Sequence, residues 1–171
     1  MKIVIVGGGV VGCETAHWLA NEYGKNVTVL EMLPHFMMGV CTANRGHLLH
    51  YLEKSGVRLY NCTKVKALAK DGVYVEQNQS QTVPDPYNTW QPLLPPNIPN
   101  PMEKAIKEEI VEKKIPADLI VLAMGGKADE TFFFEAGEEH LAKEIYNIGD
   151  SSRAGRVLEA VRGAYHLAVR I

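Results

Sequence analysis

The chain opens on an apolar run, Lys2-Ile3-Val4-Ile5-Val6, whose β-branched residues suit a strand buried in a parallel sheet. Residues 10–23 follow a helical period with Ala16, Leu19, Ala20 and Tyr23 on one face, and Gly24 is placed to end that helix as a left-handed cap. Asn26-Val27-Thr28-Val29-Leu30 predicts the next strand. Residues 32–40 have no period and read as a loop, in which Met37 and Met38 serve as adaptable packing residues. Over 42–55 the stripe Leu48, Leu49 and Leu52 predicts a second helix closed by Gly56, and Val57-Arg58-Leu59-Tyr60 predicts a third strand.

The rhythm then changes. Residues 64–69 and 73–77 flank Lys70-Asp71-Gly72, a strong hairpin-turn signal, so a parallel βαβαβ start passes into an antiparallel meander. Between residues 78 and 102 lie seven of the nine prolines, with Tyr87 and Trp90 among them. Proline at that density rules out helix and sheet interiors and leaves little backbone hydrogen bonding. The segment reads as a surface insertion or as a docking surface for another domain. Residues 103–115 suit a helix by composition and a strand by continuation of the hairpin, and both readings stand. Ala117-Asp118-Leu119-Ile120-Val121-Leu122-Ala123 predicts a buried strand opening into Met124-Gly125-Gly126. Ile145-Tyr146-Asn147-Ile148 predicts a short strand ending in Gly149-Asp150. Residues 155–170 predict a last helix, apolar at Val157, Leu158, Val161, Tyr165 and Leu167.

Bulk properties narrow the function classes. A length of 171 residues fits one domain with room for an incomplete second. A formal charge of −2 gives no electrostatic case for nucleic acid or an anionic membrane, and no apolar run is long enough to span a bilayer. The N-terminal apolar run is too short for a signal peptide. Cys13, Cys41 and Cys62 are odd in number and widely spaced, which argues against a disulfide scaffold, a zinc site or an iron–sulfur cluster and fits a reducing, cytoplasmic setting. His47 and His50 lie one helical turn apart, as a solvated or packed pair rather than a metal site. His17 and Trp18 read as packing residues. No catalytic or metal-ligating residue stands out.

The chemistry sits in the first thirty-one residues. Gly7-Gly8-Gly9-Val10-Val11-Gly12 is G-x-G-x-x-G between a strand and a helix. Gly7 makes the tight turn, Gly9 lets the backbone approach a pyrophosphate, and Gly12 allows close packing of helix on strand. The helix N-terminus, at Val10 and Val11, favours phosphate charge. Glu31 ends the second strand about twenty residues on, where a carboxylate accepts both hydroxyls of an adenosine ribose. Met32 follows it, with no arginine adjacent, so NAD(H) is expected in preference to NADP(H). Arg45 is the nearby cation placed to compensate a 2′-phosphate. Glu14, read in the first helical turn, either complements the helix N-terminus or lies near the nicotinamide.

The order V-G-G-G-V-V-G-C-E-T-A, V-T-V-L-E, A-D-L-I-V-L-A-M-G-G and I-Y-N-I-G-D resembles two-dinucleotide flavoproteins of the pyridine nucleotide-disulfide oxidoreductase type. It is most similar to the C-terminal region of the NADH:flavin oxidoreductase family that includes 2,4-dienoyl-CoA and 2-enoate reductases. The tail G-D-S-S-R-A-G-R-V-L-E-A-V-R-G-A-Y is close to that group. The resemblance implies an α/β fold: a Rossmann-like, doubly wound parallel sheet with an antiparallel three-stranded meander. It implies an NAD(P)H-binding domain over 1–126, carrying the proline-rich insertion 78–102, and an incomplete FAD-domain segment over 127–171. The fingerprint then belongs to the nicotinamide nucleotide, Gly125 and Gly126 to the closing turn, and Gly149 and Asp150 to the FAD site, Asp150 at the ribityl chain.

Full-length members also carry an FMN-binding TIM barrel of about 250 residues and a 4Fe-4S cluster, neither of which fits in this sequence. The chain is therefore expected to be a fragment, inactive alone, that partners the rest of an FAD domain and the barrel. In the parent enzyme NADH would donate hydride to FAD for onward transfer to FMN and an unsaturated substrate. Two other readings stay open. One is a structural module that has lost NAD binding, as some related dehydrogenases have. The other is an FAD site at the single fingerprint, which would make the protein yellow.

Overall fold

A five-residue strand with both faces covered organises the first part of the chain. The computed structural model describes residues 1–90, 94, 98, 100–101 and 104–171, and divides into two compact units, Met1–Met124 and Gly125–Ile171. In the first unit, β1 (Lys2–Val6), α1 (Val10–Asn21), β2 (Asn26–Leu30), α2 (Thr42–Lys54) and β3 (Arg58–Tyr60) are followed by β4 (Thr63–Ala69), β5 (Gly72–Asn78), β6 (Ile110–Pro116) and β7 (Leu119–Leu122). Four strands form a parallel sheet in the order β3-β2-β1-β7, and three form an antiparallel sheet in the order β4-β5-β6. Val4 is in register with Thr28 on one side and Ile120 on the other. The expected parallel sheet with a separate three-stranded meander is the observed fold. Helices α1 and α2 lie on one face of the sheet, and the meander lies on the other in place of a second layer of helices.

The period of two along β1 divides its side chains between two cores. Ile3 and Ile5, with Val27 and Val29, pack against Cys13 and Ala16 of α1, Leu49 and Leu52 of α2, and Phe36. Val4 and Val6, with Leu30, pack against Val73, Val75 and Ile115 of the meander. Full burial of each such side chain contributes about 1.5–3 kcal/mol, which outweighs local propensity. Residues 110–116 form a strand despite their helix-compatible composition because β5 has a free edge for them, pairing Val75 with Lys113 and Asn78 with Ile110.

The strand at 119–122 is present but not buried. It pairs with β1 on one side only among the described residues, and Leu119 and Leu122 are exposed. Tyr23 also leaves the expected buried face: α1 ends at Asn21, and the Tyr23 ring stands edge-on to the exposed Trp18. Gly24 does take the left-handed conformation, at φ +57°. His17, His47 and His50 all set their rings against Tyr51, the packing role expected of them, and no cluster among the described residues is fit to hold a metal.

The proline-rich stretch lies largely outside the described residues from 91 to 103, but its first part is firmly held. Asn78 donates to the Lys107 carbonyl at 2.7 Å and accepts from Ser80 and Glu109, which brings the two ends of the stretch together. Asn61 donates to the Pro34 and Pro84 carbonyls. The Tyr87 hydroxyl donates to the Val57 carbonyl at 2.6 Å and accepts from Leu59 N–H at 3.2 Å. It thus takes two of the bonds that a neighbouring strand would make along the edge of β3. Side chains from the core thus make up for the poor backbone bonding of the prolines.

The second unit holds α3 (Thr131–Glu138), one 3₁₀ turn (Gly149–Ser151) and α4 (Val157–Ala168). The strand expected at Ile145-Tyr146-Asn147-Ile148 does not form, because this unit contains no strand to pair with it. Helix α3 went unforeseen, although Asp129 accepts from the Thr131 N–H at its start. Helix α4 starts with a capping box in which Glu159 accepts the Arg156 N–H at 3.0 Å, and its hydrogen bonds with Arg156 pull its carboxyl down to about 2. Its apolar positions Val157, Leu158, Val161 and Tyr165 are all exposed.

Candidate functional site

The turn from β1 into α1 is shaped by three different constraints. Gly7 adopts φ +111°, a region closed to other residues, and a Cβ there would run into the Ala123 carbonyl oxygen. A Cβ at Gly12 would run into the Gly7 carbonyl oxygen. Both positions are therefore dictated by the protein's own backbone. Gly9 is different: it is the N-cap of α1, its backbone is extended at φ −71°, and a Cβ would meet nothing within 4 Å. No side chain caps α1, so the first-turn N–H groups around Val10, Val11 and Gly12 have no capping acceptor.

Glu31 reaches back to the same turn. Its Oε2 accepts the Gly8 N–H at 2.8 Å and its Oε1 accepts the Leu33 N–H at 2.9 Å. Each carboxylate oxygen keeps acceptor capacity for a further donor, so the group is fixed in place without being saturated. Gly8 is enclosed by the Phe36 ring, and its carbonyl accepts the Met37 N–H at 2.8 Å. Met32 is exposed beside Glu31.

Two expectations change here. Glu14 lies one turn further along α1 than expected, since the first turn holds no acid, so it is poorly placed to complement the helix terminus. Arg45 is not poised to meet a 2′-phosphate: it is buried, with Nε donating to the Phe36 carbonyl at 2.9 Å and Nη1 to the Asn88 carbonyl at 3.0 Å. Phe36 and Met37 were not foreseen as parts of this turn. The available signal was a large aromatic in a loop otherwise devoid of period.

The remaining candidates belong to the second unit. Gly125 and Gly149 take φ +81° and +69°. Asp150 lies in the 3₁₀ turn, and its Oδ1 accepts the Gly155 N–H at 3.2 Å, bracing the approach to α4.

Cys13 lies in the core beneath the fingerprint, its thiol 3.5 Å from the Gly8 carbonyl. Burial, then the Glu31 charge, pushes its pKa up to about 12. The folded state thus holds the proton that an unfolded thiol loses near pH 9, so this contribution to stability is full below pH 9 and is lost as pH rises toward 12. Iodoacetamide at pH 8 should label the exposed Cys41 readily and leave Cys13 unmodified until denaturant is added; mass mapping of labelled peptides reads this out.

A fingerprint of this geometry directs attention to dinucleotide enzymes. Residues 1–153 match the model of the pyridine nucleotide-disulphide oxidoreductase family. This chain belongs to that family. An NADH oxidase of Thermoanaerobacter brockii is 26% identical over 170 residues, covering 99% of this chain and 21% of that protein. A cinnamate reductase of Clostridium sporogenes is 23% identical over 173 residues, with the same two shares. Among solved structures, a 2-naphthoyl-CoA reductase in complex with 2-naphthoyl-CoA superposes with TM-score 0.71 at 25% identity, covering 99% of this chain and 21% of that one. Histamine dehydrogenase from Rhizobium sp. 4-9 shares the fold, with TM-score 0.70 at 14% identity. The resemblance to NADH:flavin oxidoreductases is thereby confirmed, and the chain spans about a fifth of the length of the relatives it matches.

Members of the pyridine nucleotide-disulphide oxidoreductase family use FAD and NAD(P). The first unit fits the nucleotide: Gly9 leaves open space at an uncapped helix terminus, and Glu31 stands fixed beside it. No described helix is long and apolar enough to cross a membrane.

Proposed function

We propose that the chain is the NADH-binding module of a larger flavin-dependent reductase. The observation that carries this reading is Gly9, whose lack of a side chain answers to no protein atom, at the uncapped start of α1. Gly9 and the N–H groups at Val10, Val11 and Gly12 would receive the pyrophosphate, and Glu31 the adenosine ribose. When bound, NADH supplies a hydride. In a parent enzyme of this kind the acceptor would be FAD, with FMN and an unsaturated substrate, of the kind a cinnamate reductase's name implies, as the onward acceptors. Gly125, Gly126, Gly149 and Asp150 belong in this reading to the closing turn and to the FAD site, completed by the rest of the FAD domain. Glu14 would stand near the nicotinamide and Met32 beside the adenosine. The FMN barrel and a 4Fe-4S cluster would lie on other parts of the parent chain, and three free cysteines suit a reducing cytoplasm.

Differential scanning fluorimetry of the 171-residue chain with NADH tests the reading. Ligand at a hundred times Kd adds about 2.7 kcal/mol, a shift of several degrees. No shift at millimolar NADH would favour the structural module instead, and a yellow protein with stoichiometric FAD would place the flavin at the fingerprint.

A further inference from the structure

Arg45 is charged, almost wholly buried in the first unit, and held by carbonyl oxygens. Its Nε donates to Phe36, and its Nη1 to Asn88 at 3.0 Å and Thr89 at 3.5 Å. No ion pair links it to a carboxylate among the described residues. Burying a guanidinium without an acid partner is costly, so the structure it holds must matter to the fold or to the site. Desolvation accordingly draws its pKa below the ordinary guanidinium value.

What it holds is the turn against the fingerprint. The carbonyl it clamps belongs to Phe36, and the next residue, Met37, sits at φ +52°, a conformation that an unbranched non-glycine residue keeps only when its surroundings enforce it. Met37 in turn donates to the Gly8 carbonyl, the Phe36 ring closes on Gly8, and the Gly8 N–H donates to Glu31. A continuous path therefore runs from Asn88 and Thr89 through Arg45, Phe36, Met37 and Gly8 to Glu31.

We propose that Arg45 is a positioning residue for the dinucleotide site, tying the segment after β5 to the glycine turn so that Gly8 and Glu31 are set before the coenzyme arrives. This deepens the NADH reading and rests on it. A turn containing three consecutive glycines loses much conformational freedom when a ligand orders it, and a turn already ordered by the protein spares the ligand that loss. The segment at 84–90 is, on this account, the outer brace of the coenzyme site.

The test uses the whole 171-residue chain as wild type, Arg45→Met and Val73→Ala, the last lowering stability from the meander core without touching the path. Site-resolved amide exchange of Met37 is compared with that of Val29 in β2, and NADH affinity is measured by calorimetry. Arg45→Met should speed Met37 exchange tenfold or more relative to Val29 and weaken NADH tenfold or more, while Val73→Ala changes neither ratio. Should Arg45→Met not fold, Arg45→Lys, which keeps the charge but loses the fork, carries the same comparison. Unchanged Met37 protection, or lost protection with wild-type NADH affinity, overturns the proposal. Absence of NADH binding to the wild type overturns the coenzyme reading, and the exchange arm then upholds or refutes the coupling by itself.

Discussion

NADPH should bind the chain at least tenfold more weakly than NADH. The Glu31 carboxylate is fixed by the Gly8 and Leu33 N–H groups, so it cannot swing away from a 2′-phosphate. Unit charges about 4 Å apart repel by roughly 4 kcal/mol at an effective dielectric near 20. Even with a large part of that lost to solvent, about 1.4 kcal/mol suffices for a factor of ten. Arg45, the cation expected to compensate that charge, is committed to the Phe36 and Asn88 carbonyls. Parallel calorimetric titrations with the two coenzymes decide the matter. Glu31→Ala should narrow the gap to within about threefold, about 0.65 kcal/mol, because the repulsion that sets it is removed. Equal or tighter NADPH binding by the wild type would remove Glu31 from the ribose site.

The second large effect separates glycines that look equivalent in the motif. Gly12→Ala should lower stability by about 3 kcal/mol, the upper part of the overpacking range, because the new methyl meets the Gly7 carbonyl, a backbone group and not a flexible side chain. For a domain of this size that is a fall of roughly 10 °C in Tm. Gly9→Ala should cost no more than about 1 kcal/mol, the scale of an unfavourable N-cap residue, since its backbone suits alanine and its methyl meets empty space. Yet it should weaken NADH tenfold or more, by placing a methyl where the pyrophosphate must come. Denaturant unfolding and NADH titration on both variants give the contrast. A Gly9→Ala protein with full affinity would take the pyrophosphate away from this turn.

Much of the fold was legible because its signals are local. The runs at β1 and β2, the stripe of α2 and the Asp71-Gly72 turn each announce themselves within a few residues. What was left open or failed depends on partners distant in sequence. Residues 110–116, open between helix and strand, are a strand because β5 offers an edge, whereas the strand expected at 145–148 does not form because nothing beside it does. Leu119 and Leu122 have the composition of a buried strand, but exposure depends on what lies next to β7. At the site, the turn around Gly7 and Gly12 follows from local spacing, and Glu31 meets it through the Gly8 N–H. Arg45 was misread as an available cation because its hydrogen bonds go to residues 36 and 88, and no period encodes such a match. The tethers at Asn61 and Tyr87 escaped notice for the same reason.

Within the first unit the central strand precedes its neighbours in the chain and is completed last. Lys2 and Asp118 latch together through two hydrogen bonds, Lys2 N–H to the Asp118 carboxylate and Asp118 N–H to the Lys2 carbonyl, at the point where β1 meets β7. On a ribosome adding about 5–20 residues per second, β1 waits roughly 6–25 s for that neighbour. The strands and helices up to Tyr60 can assemble within that interval, but the Val4 and Val6 face lacks its cover until Val73, Val75 and then Ile115 have emerged. During synthesis the nascent chain therefore presents an apolar sheet face and an open strand edge together, the combination that chaperones bind. A nascent chain stalled before Asp118 would be prone to aggregate through that edge.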